Sequence, residues 1–501
     1  MIKLDLTSLT VAANGQLVGD ESLLALAIDN LVTDSRAFEC KDSSEEQTNT
    51  AFLALKGPNF DGHRFAVQVI EKGCQVLIVD HQLNDIDSSK VAQIIVDDTR
   101  IALGKIAAFV KAQVAPKTVG ITGSSGKTTV KEMLAAILSR LGKVLATEGN
   151  FNNDIGVPLT LLRLSHDDDF AVIEMGANHI GEIAYTTELV KPDVAMINNI
   201  AAAHLEGFGD LCGVARAKGE IFSGLADDGV ALYNKDTKYT SKWQWRLTDK
   251  QVSTFSCLNP TNADISSSNV RLDDNGCASF NLQTPIGECV ITLTVPGKHN
   301  VCNAVAAASA AIECGASLTD IRLGLAQMAP VKGRLNIHQL GKNLRLIDDT
   351  YNANVESIKA AIALLANYAG QRILILGDMA ELGSDARSYH QEVGEYAKEQ
   401  GIDVLFTLGV LSQNTSDAFA RKNTVISEHF SNRAALTAQL FSLLEVQTQT
   451  NNNQILVKGS RSAHMEYVVE EIISWHAKHN KGLNREGSQN QLHNPNKQDN
   501  S

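Results

Sequence analysis

Thr122-Gly123-Ser124-Ser125-Gly126-Lys127-Thr128-Thr129 is the stretch that decides the fold of the central part of this 501-residue chain. A β-branched run precedes it, and an amphipathic helix near Thr128–Leu141 follows it. A glycine-rich turn in this position is typical of a phosphate-binding loop, in which backbone N–H groups and the helix start face phosphate oxygens. We expect Lys127 to reach the terminal phosphates and Thr128 to ligate magnesium. Residues 123–129 are therefore predicted to bind the nucleotide.

Two features qualify this interpretation of the loop. The strict G-x-x-x-x-G-K-[ST] pattern has a glycine where this chain has Ile121, so the loop is a shorter G-x-x-G-K-T-T variant. A plain glycine turn before a helix is the alternative interpretation, and the strand, the helix and the Lys-Thr pair together disfavour it. A phosphate loop alone still leaves kinase, GTPase, motor and ligase open.

The regions around the loop alternate strand, glycine turn and helix, which indicates an α/β fold with a mostly parallel sheet. We predict a small α/β domain at 1–98, a central phosphate-loop domain at 99–327 with helices on both sheet faces, and a Rossmann-like α/β domain at 328–478. Alternating antiparallel strands are expected within 243–296. A surface loop is expected at Lys41–Thr50, and a disordered polar tail at 479–501.

Composition and charge exclude several classes of protein. The chain is 44% hydrophobic and 20% charged, with a formal net charge of -13, which disfavours binding to nucleic acid or anionic lipid. No apolar run has the length of a signal peptide or a membrane span. The eight cysteines are scattered without metal-like spacing and are expected to be reduced core thiols. A cytoplasmic monomer is the expected state.

Polar residues at the ends of predicted strands are the candidates for chemistry, because such strand ends converge on the ligand crevice of a parallel sheet. Glu174 suits magnesium, a hard cation, as a partner of Thr128, although it could be a plain strand-end carboxylate. His204 alone could be structural. Lys218 lies in a helical stretch, and an ammonium would repel a metal ion. It fits such a site only if it is neutral, or converted by carbon dioxide into an anionic carbamate.

Three segments downstream supply further candidates. Asn300 and Asn303 lie at the start of an Ala-rich helix and offer amides that could read the adenine edge, although Asn300 could instead cap the helix. Arg334 and Asp349 lie in the third predicted domain. Closure of that domain could bring Arg334 onto a phosphate.

These features together resemble the Mur ligase family, over nearly the whole chain. The motifs that carry the resemblance, besides the phosphate loop, are Thr33–Arg36, Phe52–Gly57, Phe60–His63, Gly149–Thr160, Ile173–Ala177, His204–Glu206, Ala217–Ile221, Gly377–Gly383 and Lys458–Arg461. Two departures are visible. Val355 follows Asn352-Ala353-Asn354 where the family commonly has proline, and the segment Lys41–Thr50 is longer than expected.

The resemblance implies a ligase that uses ATP and Mg²⁺, with two ions expected, to join D-alanyl-D-alanine to UDP-N-acetylmuramoyl-tripeptide through an acyl phosphate. It places Ser35 and Arg36 near the uridine diphosphate, and Asn150 and Asn153 near the reacting groups. Glu174, His204 and a carbamylated Lys218 would hold magnesium. Asn303, Arg334 and Asp349 would contact adenine, phosphate and ribose.

Catalysis is expected to depend on Lys127, Glu174, His204, Lys218 and Arg334, with Lys127, Arg334 and magnesium offsetting the repulsion between two anions. His204 could take the proton of the attacking amine only if it does not ligate metal. Two alternatives stay open: a sister or folate-type ligase with another amine acceptor, and a non-catalytic ATP-binding switch. The sequence does not decide whether the tripeptide ends in lysine or diaminopimelate.

Overall fold

The computed structural model describes residues 1–38, 49–258, 260–420, 426–447 and 452–489 of the chain. Its strands form three large sheets that follow one another along the sequence, together with two short strand pairs. Most of the predicted surface loop Lys41–Thr50 lies outside the described residues.

The first sheet is small and mostly parallel. Its strand order is β2-β9-β8-β5-β4, and only β2 runs antiparallel to its neighbour. The four residues of β8 are all buried, as a strand covered on both faces requires. The elements of this region are β1 (Leu4–Asp5), α1 (Leu6–Ala13), β2 (Gln16–Val18), β3 (Ala27–Ile28), β4 (Asn30–Val32), β5 (Thr50–Leu53), β6 (Lys56–Gly57), β7 (Phe60–Asp61), α2 (Ala66–Glu71), β8 (Val76–Val79) and β9 (Ala92–Ile95).

The central sheet has nine strands in the order β11-β12-β10-β13-β14-β15-β16-β17-β18. The elements of this region are α3 (Thr99–Val114), β10 (Lys117–Thr122), α4 (Lys127–Leu138), β11 (Val144–Ala146), α5 (Gly156–Leu161), β12 (Phe170–Glu174), α6 (Glu182–Val190), β13 (Val194–Ile197), α7 (Leu205–Phe208), α8 (Leu211–Gly219), β14 (Val230–Asn234), β15 (Gln251–Ser256), β16 (Ile265–Leu272), β17 (Cys277–Thr284), β18 (Gly287–Pro296), α9 (His299–Glu313) and α10 (Leu318–Ala326).

Strand β10 lies between β12 and β13, and all three strands run parallel. Their carboxyl ends therefore meet at one edge of the sheet. Apolar side chains of α4 and α9 pack on one face, and those of α3, α6 and α8 pack on the other. The α/β class with a mostly parallel, doubly covered sheet is thus confirmed.

The region 243–296 differs in part from the expected antiparallel alternation. Strands β16, β17 and β18 are antiparallel, but β15 pairs parallel with β14. Residues 235–250 form a crossover that contains two short 3₁₀ helices, and a crossover of this kind returns the chain in the parallel direction.

The third sheet has the order β19-β20-β24-β21-β22-β23 and is parallel except for β19. Its elements are β19 (Asn336–Gln339), β20 (Leu344–Asp349), α11 (Val355–Ala366), β21 (Gln371–Gly377), α12 (Ala386–Glu399), β22 (Val404–Leu408), α13 (Gln413–Phe419), β23 (Ile426–Phe430), α14 (Arg433–Gln447), β24 (Asn453–Lys458) and α15 (Glu466–Gln489).

Two ends of helices in this region differ from the sequence-based expectation. Helix α11 needs no proline at its first position, because Asn354 and Ser357 form a capping box there. Helix α15 continues to Gln489, so residues 479–489 are helical where a disordered tail is expected. A helix anchored by buried Val468 and Ile472 gains one hydrogen bond for each added residue. Residues 490–501 lie outside the described residues.

Candidate functional site

One cleft of about 1490 Å³ lies between the central sheet and the third sheet. Residues 124–129 of the glycine-rich loop line it, and so do most of the other predicted site residues. These are Asn150, Asn153, Glu174, His204, Asn300, Asn303, Arg334 and Asp349. Residues far apart in the sequence thus meet at the edge where the central strands end.

The glycine-rich loop turns directly into α4. Gly126 lies before the helix with a φ of 75°, and a Cβ atom there would come within 2.4 Å of Asn303 Oδ1. Only glycine satisfies both conditions. Lys127 Nζ donates to Gly123 O at 2.8 Å, and burial lowers the pKa of Lys127, opposed by the nearby carboxylate of Glu174. The ammonium group therefore lies over the loop, where a terminal phosphate would be held.

Glu174 ends β12 and lies beside Ile121 of β10. Its side chain is 2% exposed, and it accepts hydrogen bonds from Thr128 Oγ1 at 3.0 Å and from Asn152 Nδ2 at 2.8 Å. Among the described residues no ion pair neutralises this buried carboxylate. A carboxylate beside a hydroxyl is the donor set that Mg²⁺ prefers, so these residues fit a magnesium ion.

His204 and Lys218 both lie beside the Phe208 ring. The His204 ring meets the Phe208 ring edge-on at 6.3 Å, and Lys218 Nζ lies 5.9 Å from the centre of the same ring. Lys218 is 1% exposed, and no hydrogen bond or ion pair reaches its Nζ from the described ranges. Burial, together with the charge of Lys127, lowers the pKa of Lys218 well below its ordinary value. Burial and the neighbouring charge thus both disfavour the ammonium form of Lys218.

Two buried asparagines close the cleft on the side of α9. Asn303 Nδ2 donates to Asn300 Oδ1 at 2.8 Å, and Asn300 Nδ2 donates to Pro296 O at 2.7 Å. Asn300 therefore does not cap α9, whose cap position is Lys298 without a side-chain bond. Asn198 Nδ2 contacts Asn303 Oδ1 at 3.3 Å and also donates to Ser125 O. The amides link the loop to the far wall of the cleft.

Side chains of the third sheet reach the loop directly. Arg334 Nη2 donates to Thr128 Oγ1 at 3.1 Å, and its guanidinium stacks 4.3 Å from the centre of the Tyr351 ring. Asn354 Nδ2 donates to Ser124 O at 3.3 Å. The chain is therefore in a closed arrangement, with a cation from the third sheet beside the predicted phosphate and metal groups.

Asp349 lines the cleft, but its carboxylate already has a cationic partner. Lys458 Nζ lies 2.6 Å from Asp349 Oδ2 and also donates to Asn352 O at 2.8 Å. The two side chains are paired across β20 and β24, where their residues are in register. Any contact of Asp349 with a ribose would share this carboxylate with Lys458.

The four predicted substrate residues divide into two groups. Asn150 and Asn153 are exposed in the cleft, and Asn153 Oδ1 also accepts from the peptide N–H of Gly156 at the start of α5. Ser35 and Arg36 lie in the first region, outside the lining of the cleft, and Arg36 pairs with Asp34 at 2.6 Å. A ligand that touched both groups would have to be long.

Several residues of the site escape the sequence-based reasoning. Asn152 lies between the predicted residues Asn150 and Asn153, and its Nδ2 donates to Glu174. Asn198 and Asn199 both donate to Ser125 O at 3.0 Å. The two asparagines directly follow β13, so the strand-end rule could have found them. Lys458 pairs with Asp349, and the Glu381 carboxylate contacts His204. Both residues lie in motifs that carry the family resemblance, but their roles could not be predicted by this rule, because their partners are distant in the sequence.

A group of ligand-type side chains also occurs near the first sheet. His63, Asp80 and His81 could together offer three ligand atoms. However, His63 Nε2 accepts from the peptide N–H of Asp80 at 3.1 Å, and Nδ1 lies 2.7 Å from Asp61 Oδ1. Since both ring nitrogens have partners, we interpret the group as a hydrogen-bonded structural cluster.

Three family models match this chain: Mur ligase middle domain at residues 121–311, Mur ligase, glutamate ligase domain at 333–461, and Mur ligase family, catalytic domain at 41–111. A relative from Escherichia coli (strain K12), UDP-N-acetylmuramoyl-tripeptide--D-alanyl-D-alanine ligase, is 47% identical over 94% of this chain and 99% of its own length. The chain belongs to the Mur ligase family. The resemblance predicted from the motifs is confirmed.

A second relative and two solved structures are also similar to this Mur ligase. A relative of the same name from Bacillus subtilis (strain 168) is 34% identical, covering 86% of this chain and 92% of the relative. Crystal structure I of MurF from Acinetobacter baumannii has a TM-score of 0.86 and 37% identity, and covers 94% of this chain and 99% of that one. A MurF ligase from Thermotoga maritima in complex with ADP shares the fold at 24% identity, with a TM-score of 0.77 over 90% of this chain and 98% of that chain.

A membrane-spanning helix must be both long and apolar. Within the described part of the chain, no helix combines the length and the apolar character needed to cross a membrane.

Proposed function

We propose that this Mur ligase joins D-alanyl-D-alanine to UDP-N-acetylmuramoyl-tripeptide in the cytoplasm, with conversion of ATP to ADP and phosphate. The observation that carries the proposal is the convergence of Lys127, Glu174 and Arg334 on one loop in the closed cleft. The relatives that bear the name of this activity supply the identity of the substrates. We further propose the division of the chain at 98/99 and 327/328, supported by the succession of three sheets.

The first half of the reaction transfers the γ-phosphoryl group of ATP to a carboxylate oxygen of the tripeptide. The oxygen–phosphorus bond to ADP breaks as the new bond forms, and both partners are anions. Lys127 and Arg334 offset their repulsion and stabilise the charge on the moving group. Asn300 and Asn303 would receive the adenine, and Asp349 the ribose.

Magnesium would be held by Thr128, Glu174, His204 and Lys218, and two ions are expected. When bound, it would neutralise phosphate oxygens during the transfer. Glu174 is oriented for this role by its hydrogen bond from Asn152.

Lys218 would contribute to the metal site as a carbamate. The neutral form of its amine would add to carbon dioxide, forming a carbon–nitrogen bond and losing one proton to give an anion. The burial of Lys218 and the lack of a described hydrogen-bond partner support this step, since an uncompensated ammonium would be costly there. The anion would also balance the charge of the neighbouring Lys127.

In the second half, the free amine of D-alanyl-D-alanine attacks the carbonyl carbon of the acyl phosphate. The tetrahedral intermediate expels phosphate and leaves an amide, and the amine gives up a proton. Asn150 and Asn153 would face these groups, while Ser35 and Arg36 would lie near the uridine diphosphate at the other end. The closed cleft limits the access of water, which would otherwise hydrolyse the acyl phosphate.

A panel of amine acceptors tests the proposed specificity. The purified chain, UDP-N-acetylmuramoyl-tripeptide, ATP and Mg²⁺ are mixed with D-alanyl-D-alanine, D-alanine, L-lysine, diaminopimelate or glutamate, and the amide products are identified by mass spectrometry. We expect product with the dipeptide and little with the others. Preferential use of another acceptor would indicate a sister ligase, and no product with any acceptor would favour a nucleotide-dependent switch. Parallel reactions with lysine-ended and diaminopimelate-ended tripeptides identify the natural third residue.

A further inference from the structure

A loop of the third sheet touches the predicted metal site at a point outside the phosphate loop. The segment Gly377–Gly383 follows β21, and the Glu381 carboxylate within it contacts His204 Nδ1 directly. The peptide N–H of Glu206 also faces Glu381 O at 3.4 Å. Glu381 therefore meets the start of α7 through its side chain and through its backbone.

Both residues of this contact have an unusual backbone conformation. His204 has a φ of 55° and Glu381 a φ of 62°, in the left-handed region that residues with a Cβ atom usually avoid. Strain of this kind is retained where the surrounding structure or the function requires it. Here the strained residues are partners, one on each side of the cleft.

The contact fixes which nitrogen of His204 is available. The Glu381 carboxylate lies in ion-pair contact with Nδ1, which forms no hydrogen bond of regular geometry with any described residue, and the edge-on ring of Phe208 limits rotation of the imidazole from another side. Nε2 is then the remaining nitrogen for a ligand. A carboxylate on one ring nitrogen, with a metal on the other, is a recurrent arrangement that orients the ring and increases its basicity.

We infer that Glu381 is a positioning residue that orients His204 toward the metal site only when the third sheet closes on the central sheet. The inference rests on the proposed function, in which His204 holds magnesium. Because Glu381 belongs to the third sheet, opening the cleft separates it from His204, so closure and completion of the metal site become one event.

Binding of Mn²⁺ to the full chain with ADP, followed by electron paramagnetic resonance, tests the inference without any ligation. We expect Glu381→Gln to weaken Mn²⁺ binding by about 10- to 100-fold, the range for residues that support a metal ligand. The matched control is Asp385→Asn, an exposed carboxylate on the same loop with no helix-cap bond, which should leave binding unchanged. Thermal unfolding verifies that both variants are folded.

A double-mutant cycle with His204→Gln separates positioning from other effects. Once His204 is removed, Glu381→Gln should have no further effect on Mn²⁺ affinity. Unchanged affinity in folded Glu381→Gln, or equal losses with and without His204, would overturn the inference. Since the titration needs only ADP and Mn²⁺, it stays decisive even if the acceptor panel contradicts the proposed substrates.

Discussion

Replacing Arg334 with glutamine tests the contribution of the third sheet to phosphoryl transfer. The guanidinium lies 3.1 Å from Thr128 Oγ1 and stacks on Tyr351, so it reaches the phosphate loop only in the closed cleft. Glutamine keeps a polar side chain and removes the charge. The fold should tolerate the change, because Arg334 is only partly buried and forms no ion pair among the described residues.

The size of the effect follows from the charge and the distance. A unit charge about 4 Å from a phosphate oxygen contributes about 4 kcal/mol at an effective dielectric constant of about 20. That energy corresponds to a rate factor of about 10³, and loss of one preorganised donor typically costs about 10²- to 10³-fold in kcat. We therefore expect kcat of Arg334→Gln to fall about 10²- to 10³-fold, with a change of less than about 1 kcal/mol in the free energy of unfolding.

The assay is steady-state release of ADP at saturating substrates, with the melting temperature measured in parallel. Arg345→Gln is the matched control. Arg345 lies in β20 of the third sheet, stacks 4.5 Å from the centre of the Tyr368 ring and donates to Asn275 Oδ1 in the turn between β16 and β17, but it lies away from the cleft. Its kcat should stay within about threefold of the parent. The reasoning is refuted if folded Arg334→Gln retains more than a tenth of the activity, or if both variants lose activity equally.

Three further substitutions and one pH dependence test other parts of the site. Lys127→Ala should abolish ligation without unfolding the chain, and near-normal turnover would exclude the phosphate-loop assignment. Lys218→Ala should lose activity and regain part of it with added acetate; a lack of rescue, with no bicarbonate dependence in the parent, would count against the carbamate. Gly126→Ala should weaken ATP binding at least tenfold, measured by calorimetry, because its Cβ would lie 2.4 Å from Asn303 Oδ1 at a φ of 75°. Burial lowers the pKa of His299 from 6.5 to about 4. Between these pH values His299 is protonated in the unfolded chain but not in the folded chain. As the pH is lowered from 6.5 to 4, stability should fall by about 2–3 kcal/mol more than in His299→Gln, because one unit of pKa difference corresponds to about 1.4 kcal/mol; parallel pH profiles would contradict this.

The parts of the site predicted from the sequence are those specified by local patterns. Glu174 ends a buried strand, and residues 123–129 join strand β10 to helix α4, so parallel pairing of β10 with β12 is enough to bring them together. Arg334 was predicted to close onto a phosphate, and it does approach the loop. The predictions for Glu174 and residues 123–129 need only the periodicity of the chain and the geometry of a parallel sheet, whereas the prediction for Arg334 needs closure of the third domain.

The residues that were missed depend on pairing between distant segments. Lys458 meets Asp349 because β24 inserts between β20 and β21, an order that a single sequence does not reveal. Glu381 meets His204 only through closure of one sheet on another. Asn152 was missed for a different reason: the backbone of the loop before α5 determines which of three nearby amides faces Glu174.

Release of ADP from ATP and UDP-N-acetylmuramoyl-tripeptide, with and without D-alanyl-D-alanine, tests the central claim most directly. If the cleft forms an acyl phosphate that the dipeptide consumes, ADP release should be slow without the dipeptide and rise with its concentration. One amide should then form for each ADP. ADP release that is independent of the dipeptide, or of the tripeptide, would contradict the proposed reaction.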